Sequence, residues 1–190
     1  MTHKNLILAS NSPRRKELME DCGYAFCIES ADTKEILDTS LPIEQAIEQI
    51  AYQKAEAVQR LHPNDIVLGC DTMVIYDDLP LGKPKNKEDA QRMLRMLAGK
   101  THRVISGVAI LNRHDPILFH EVSEVTFYPM DEDFLKDYLS SDEPYDKAGA
   151  YGIQGKGKLL VEKIHGDYYN VMGLPIAKVY RELKKLMKNQ

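Results

Sequence analysis

The stretch "LILASNSPRRKELMEDCG", Leu6–Gly23, decides the fold class of this 190-residue chain. Its first part, Asn5–Ala9, is apolar on both faces, which predicts a short strand of a parallel sheet covered on each side. Ser12 then offers a helix N-cap and Pro13 suits the first helical position. Leu18, Met19 and Cys22 form an apolar stripe, and Gly23 supplies a stop. The same stretch sets Arg14 and Arg15 in the first helical turn, where backbone N–H groups already make that end positive. With the hydroxyls of Ser10 and Ser12 beside them, these groups favour an anion, and the arginine fork suits phosphate. Two arginines turned into water are the plain alternative. The spacing of a Walker A loop appears nowhere.

Outward from this unit, strands and helices alternate. Ala25–Ile28 reads as a second strand and Pro42–Leu61 as a long helix, with Ile43, Ile47, Ile50 and Val58 at helical spacing. Ile66–Tyr76 is a strand interrupted by Gly69 and Asp71. A helix follows from Asn86 as N-cap to Gly99 as stop, buried through Ala90, Met93, Leu94 and Leu97. His102–Leu111 and Ile117–Tyr128 read as strands joined across the polar "NRHDP". A short helix around Asp133–Leu139 precedes the glycine-rich "DKAGAYGIQGKG", Asp146–Gly157. Leu159–Ile164 and Tyr168–Met172 read as a hairpin about His165, Gly166 and Asp167. The last helix begins near Pro175 and buries Val179, Leu183 and Leu186. The sum is a single α/β domain over residues 1–190, with a mixed, twisted sheet flanked by helices.

Composition narrows the function. Hydrophobic residues are 43% and charged residues 28%, the balance of a globular chain. No apolar run approaches the roughly 20 residues that span a bilayer, and Leu6–Ala9 is too short for a signal-peptide core of about 7–15 residues. The net charge of −4 argues against bulk nucleic-acid binding, so any phosphate site is local. Cys22, Cys27 and Cys70 match no zinc or redox spacing and read as reduced, cytoplasmic thiols.

Several residues stand out against their surroundings. Asp71, in "IVLGCDTMVIY", shares a strand face with Gly69 and Met73, and a carboxylate among apolar neighbours needs a partner. Gly69 leaves room on that face for a ligand to approach the sheet; a structural Asp tied to backbone amides is the other reading. Lys54 lies on the stripe of Ile47, Ile50, Ala51 and Val58, where it either snorkels to the rim or meets an anion. Lys83, in "PLGKPKN", and Glu35, in "SADTKEI", sit in loops. In the glycine-rich segment, Gly149, Gly152, Gly155 and Gly157 imply close backbone approach or a tight connection, with Gln154 among them.

Taken in order, "LILASNSPRRKELM", Glu35, "AYQKA", "GCDTMV", "LGKP", "GKTHRVISGVAI", "SDEPYDKAGAYGIQGKG" and "GDYYNVMGLP" resemble the Maf family of nucleotide pyrophosphatases over nearly the whole chain. The resemblance implies an inosine-triphosphatase-like fold of two lobes around a cleft, often dimeric, in the cytoplasm. It implies hydrolysis of a nucleoside triphosphate to monophosphate and pyrophosphate with a divalent cation such as Mg, Mn or Co. Carried over, Ser10, Ser12, Arg14 and Arg15 would bind phosphate, while Asp71, Glu35, Lys54 and Lys83 would serve catalysis. Glu35 and Asp71 would hold the metal, and whether Asp71 holds it or takes a proton from water stays open. One branch, acting on dTTP and UTP, has Arg, Thr and Gln where this chain has Arg14, Thr72 and Gln154. The branch acting on 7-methyl-GTP has an aromatic residue, Gln and Glu there. Cys70 departs from the family's usual small residue. The alternatives are 7-methyl-GTP as substrate, or a nucleotide-sensing regulator of septum formation without turnover.

Overall fold

β1 (Leu6–Leu8) is buried along its whole length and pairs in parallel with β2 (Cys27–Ile28) and β3 (Ile66–Tyr76), with Ile7 opposite Cys27 and Val67. The structure is a computed structural model that describes residues 5–112 and 116–188. Part of the expected "NRHDP" connection, Arg113–Asp115, lies outside the described residues. Between these strands run α1 (Pro13–Glu20) and α2 (Ile43–Gln59). After β3 come β4 (Leu79–Leu81), α3 (Lys87–Leu97), β5 (Thr101–Leu111), β6 (Ile117–Phe127) and α4 (Glu132–Tyr138). Three 3-10 turns, Glu143–Asp146, Ala148–Ala150 and Lys156–Leu160, lead to β7 (Val161–His165), α5 (Tyr168–Met172) and α6 (Ile176–Lys188).

Among the described residues the strand order is β2-β1-β3-β5-β6-β7, with β4 antiparallel to β3 and β7 antiparallel to β6. The mixed α/β sheet expected from the sequence is therefore present. The chain divides into two compact units. One holds the residues through Asp71, Ser106–Glu121 and the chain from Gly173 onward; the other holds Thr72–Ile105 and Val122–Met172. β3, β5 and β6 each pass from one unit into the other.

In the first unit, α2 buries Ala46, Ile47, Ile50, Ala51, Ala55 and Val58, the 3.6-residue stripe that makes it a helix in the first place. Two glycines let it sit close to the sheet. A Cβ on Gly107 would lie 2.6 Å from the Ile47 carbonyl carbon, and one on Gly69 would collide with the Ala51 carbonyl oxygen and Ala55. The space that Gly69 opens is thus filled by α2 and not by a ligand, which corrects the sequence reading. This close seat fixes where Lys54 stands.

In the second unit, α3 starts where expected: the Asn86 side chain accepts from the Asp89 amide at 2.9 Å, satisfying one of the unpaired N–H groups of the helix start. Ser12 is the N-cap of α1 but makes no such side-chain bond. β4 is an addition to the sequence reading. Asp77 and Asp78 both adopt positive φ, 51° and 58°, and form a two-residue turn that pairs Tyr76 with Leu79. Pro80 hid the strand from pattern reading, and it is tolerated because β4 continues no further pairing than β3.

Four expectations on strands and burial need correction. The second strand is Cys27–Ile28 alone, exposed at the sheet edge. Tyr168–Met172 is a helix and not the return strand of a hairpin, so β7 pairs with β6 instead. The helix wins because Asp167 accepts the Tyr169 amide at 2.8 Å, as a capping residue does. Buried Asn170 then donates to the Val104 carbonyl at 3.0 Å and to Ser123 Oγ at 2.9 Å. Leu159 and Leu160 belong to a 3-10 turn, and Leu186 is only half-buried.

A histidine is buried in the core of the second unit. His102, 2% exposed, packs edge-on against Phe127 and Tyr151, and its Nε2 lies 2.8 Å from the Tyr151 hydroxyl. Burial lowers its pKa from 6.5 to about 4. The unfolded chain therefore binds the proton first as pH falls through 6.5. Stability drops between pH 6.5 and 4, by about 1.4 kcal/mol per pH unit within that window. Urea midpoints at pH 7.5, 5.5 and 4.5 are expected to show this fall, and His102→Gln is expected to flatten it. An equal fall in the variant would assign the acid sensitivity to other groups.

Candidate active site

The first unit gathers seven of the residues singled out in the sequence into two groups. At the end of β1, buried Ser10 accepts the Ser12 amide at 3.3 Å and Arg15 Nη1 at 3.1 Å through its Oγ. Arg15 Nε donates to the Gly173 carbonyl at 2.8 Å. The guanidinium is thus held by two edges at the start of α1, and not turned loosely into water. Gly173 adopts φ 120°, a conformation only glycine takes without strain, and that turn aims its carbonyl at Arg15. Cys70 Sγ donates to the same carbonyl at 3.3 Å. No acidic residue occupies the first turn of α1, which instead carries half-buried Arg14 and Arg15. A helix start with that charge pattern is suited to an anion.

The second group is a carboxylate–ammonium–carboxylate set. Lys54 Nζ lies 2.5 Å from Asp71 Oδ1 and 3.0 Å from Glu35 Oε1. The side chains of Lys54 and Asp71 are 19% and 12% exposed, whereas Glu35 is half open to solvent. Lys54 therefore meets an anionic partner and does not merely snorkel to the rim. Asp71 is tied to an ammonium. Gln53, a residue the sequence reading passed over, fixes the Glu35 loop. Its side chain accepts the Ile36 amide at 3.1 Å and donates to the Ile36 carbonyl at 3.2 Å. Its place beside Lys54 in "AYQKA" was the one available signal.

Those two carboxylates offer hard oxygen donors, and among the described residues no cluster of three His, Cys, Asp or Glu side chains accompanies them. Such a pair fits a magnesium-like ion, which keeps waters and takes its remaining ligands from substrate phosphates.

The second unit holds Thr72, Lys83 and Gln154. Thr72 follows Asp71 directly in β3 and, by strand alternation, points to the opposite face. Lys83 is exposed in the loop after β4, and that loop is fastened to the glycine-rich segment where the Gly149 amide donates to the Gly82 carbonyl at 3.1 Å. Gln154 is exposed within that segment. Gly149 has φ 67°, and a Cβ there would press on Val74 at 3.0 Å, so both backbone conformation and close approach require it. A surface pocket lined by residues between Lys16 and Ile28 contains none of the expected site residues. Among the described residues no helix is long and apolar enough to cross a membrane.

Residues 5–186 match the family described as Maf-like protein. A dTTP/UTP pyrophosphatase of Bacillus mycoides (strain KBAB4) is 48% identical over 182 residues, covering 96% of this chain and 95% of the relative. Another dTTP/UTP pyrophosphatase, from Geobacillus sp. (strain WCH70), is 48% identical over 183 residues, covering 96% and 98%. Of solved structures, the Staphylococcus aureus Ham1 protein aligns with a TM-score of 0.56 and 14% identity, over 96% of this chain and 99% of that one. That likeness is one of fold.

Proposed function

The chain belongs to the Maf family, and on that footing we propose that it hydrolyses dTTP and UTP to the nucleoside monophosphate and pyrophosphate. The observation that carries the chemistry is Lys54 held between Glu35 and Asp71, because a carboxylate fixed by a neighbouring ammonium can orient a water molecule. Names of relatives at 48% identity support the substrates, as does the set Arg14, Thr72 and Gln154.

In this reading Ser10, Ser12, Arg14, Arg15 and the start of α1 bind the triphosphate. Lys54 engages Asp71 Oδ1, which leaves Oδ2 for one of two roles: to receive the proton of the water that attacks the α-phosphorus, or to join Glu35 in holding a cation. The bond from that phosphorus to the bridging oxygen breaks and pyrophosphate leaves, and Lys83 would serve catalysis as a further cation. In the second role Glu35 and Asp71 would hold a divalent cation, which when bound neutralises phosphate charge and acidifies water. Arg14, Thr72 and Gln154 would set the base preference, Gln154 by reading the neutral carbonyl and N–H edge of the pyrimidine. The same reading makes the protein a cytoplasmic homodimer.

Pyrophosphate release with magnesium or manganese, across dTTP, UTP, CTP, purine triphosphates and 7-methyl-GTP, tests the proposal. Release from dTTP and UTP is expected. Turnover of 7-methyl-GTP alone would overturn the substrate assignment, and tight binding without turnover of any nucleotide would make the protein a sensor. A narrower result concerns Arg15. Lysine cannot reach both Gly173 O and Ser10 Oγ as the fork does. Arg15→Lys is therefore expected to raise KM for dTTP about tenfold, equivalent to about 1.4 kcal/mol of binding. An unchanged KM would make Arg15 a strut and nothing more.

A further inference from the structure

Glu143, which neither the sequence reading nor the proposed chemistry uses, sits where three hydrogen-bond donors converge. Its Oε1 accepts the Tyr138 hydroxyl at 3.1 Å and the Gly157 amide at 2.9 Å, and its Oε2 accepts the Lys156 amide at 2.7 Å. The Tyr138 hydroxyl in turn accepts the Gly152 amide at 3.2 Å. Burial drives the Tyr138 pKa well above the ordinary tyrosine range, so the hydroxyl stays a donor to the carboxylate. Lys147 closes the other side, donating to the Glu143 carbonyl at 2.8 Å and to Asp146 at 2.6 Å.

The glycines of this segment are the counterpart of that arrangement. A Cβ on Gly152 would lie 2.6 Å from Lys147 Cε, and one on Gly155 would overlap the Glu143 carboxylate. One on Gly157 would lie 2.5 Å from the Gly152 carbonyl oxygen and 2.8 Å from the Tyr138 hydroxyl. The backbone is therefore drawn in at Gly152 on one side of Gln154 and at Lys156 and Gly157 on the other. Gln154 projects, exposed, from a short span pinned at both ends.

We propose that Glu143 is a positioning residue for base selection, its carboxylate clamping the segment that presents Gln154. This rests on the reading of Gln154 as a base-contacting residue. A carboxylate suits the task because it only accepts, and each of its oxygens has room for the donors present. A pinned segment does not yield to a larger base, whereas a loosened one admits a purine. Glutamine at 143 keeps the volume but brings an NH2 group against an N–H donor, so at least one of the three bonds is lost.

The test compares kcat/KM for dTTP and dGTP in the wild type, Glu143→Gln, Gln154→Ala and the double variant, with thermal unfolding as a check on folding. Glu143→Gln is expected to lower the dTTP-over-dGTP ratio about tenfold, within the range of coupling between residues of one network. In the Gln154→Ala background it is expected to change the ratio no further. A folded Glu143→Gln with the wild-type ratio, or an equal drop on both backgrounds, would overturn the proposal, since a merely structural role moves both substrates alike. Should Glu143→Gln not fold, Tyr138→Phe removes one donor to Oε1 and the acceptor of the Gly152 amide. It is expected to lower the same ratio by a smaller factor, and an unchanged ratio would overturn the proposal equally. A wild type that turns over neither nucleotide would bring down the enzymatic reading and this inference with it. Turnover with unaltered selectivity would remove this inference alone.

Discussion

Asp71→Asn is expected to lower turnover of dTTP by about 10²–10⁴-fold, the usual contribution of a positioned acid–base group. Asparagine preserves the shape of the side chain on β3, and Lys54 keeps Glu35 at 3.0 Å as its remaining partner. The fold is therefore expected to survive, with a urea midpoint close to that of the wild type. What is lost is the negative charge that receives a proton or helps hold a cation. Titration of magnesium into the wild type and the variant separates these two roles. Weaker binding in the variant identifies a metal ligand, and equal binding with lost turnover identifies the base. Pyrophosphate release within tenfold of wild type would reduce Asp71 to a structural partner of Lys54.

Lys54→Met is expected to be nearly as damaging to turnover, about 100-fold or more, for the opposite electrostatic reason. Methionine retains much of the apolar stem that α2 packs, so the change is chiefly one of charge. Both Asp71 Oδ1 and Glu35 Oε1 contact the same nitrogen. Removing it leaves two carboxylates facing each other without their shared cation. Stability is expected to fall by about 1–3 kcal/mol, between the values for exposed and buried pairs, because Lys54 and Asp71 are mostly covered while Glu35 is half open. Divalent cations are expected to bind more tightly to the variant, since the ammonium no longer competes for the same oxygens. Turnover within threefold of wild type, or weaker cation binding, would remove Lys54 from the proposed site.

These two residues also show how far the sequence reaches. Asp71 and Lys54 were conspicuous because a charge on an apolar strand face or helix stripe must find a partner. The identity of the partner was not visible, because it depends on how α2 lies against β3. That placement follows from Gly69 and Gly107, whose missing side chains admit the helix backbone. From sequence alone, Gly69 reads equally well as room for a ligand. The Tyr168–Met172 segment fails differently. Its short run is compatible with a strand, and the bonds of Asn170 to Val104 and Ser123 select the helix.

Local pattern determined much of the rest. The β1–α1 unit, the long amphipathic helices α2 and α3, and the eleven-residue strand β3 follow from the placing of apolar residues, in continuous runs for the strands and at helical spacing for the helices, because each element must bury one face or both. The order of motifs along the chain was enough to point to the Maf family. The tertiary structure alone decided that Arg15 is held by Gly173, that Gln53 fixes the Glu35 loop, and that Glu143 pins the segment carrying Gln154. In each case a side chain bonds a backbone amide or carbonyl distant in sequence. Every residue except proline offers both of those groups, so such a bond leaves no mark on the pattern of side chains, and only the folded path of the chain chooses the partner.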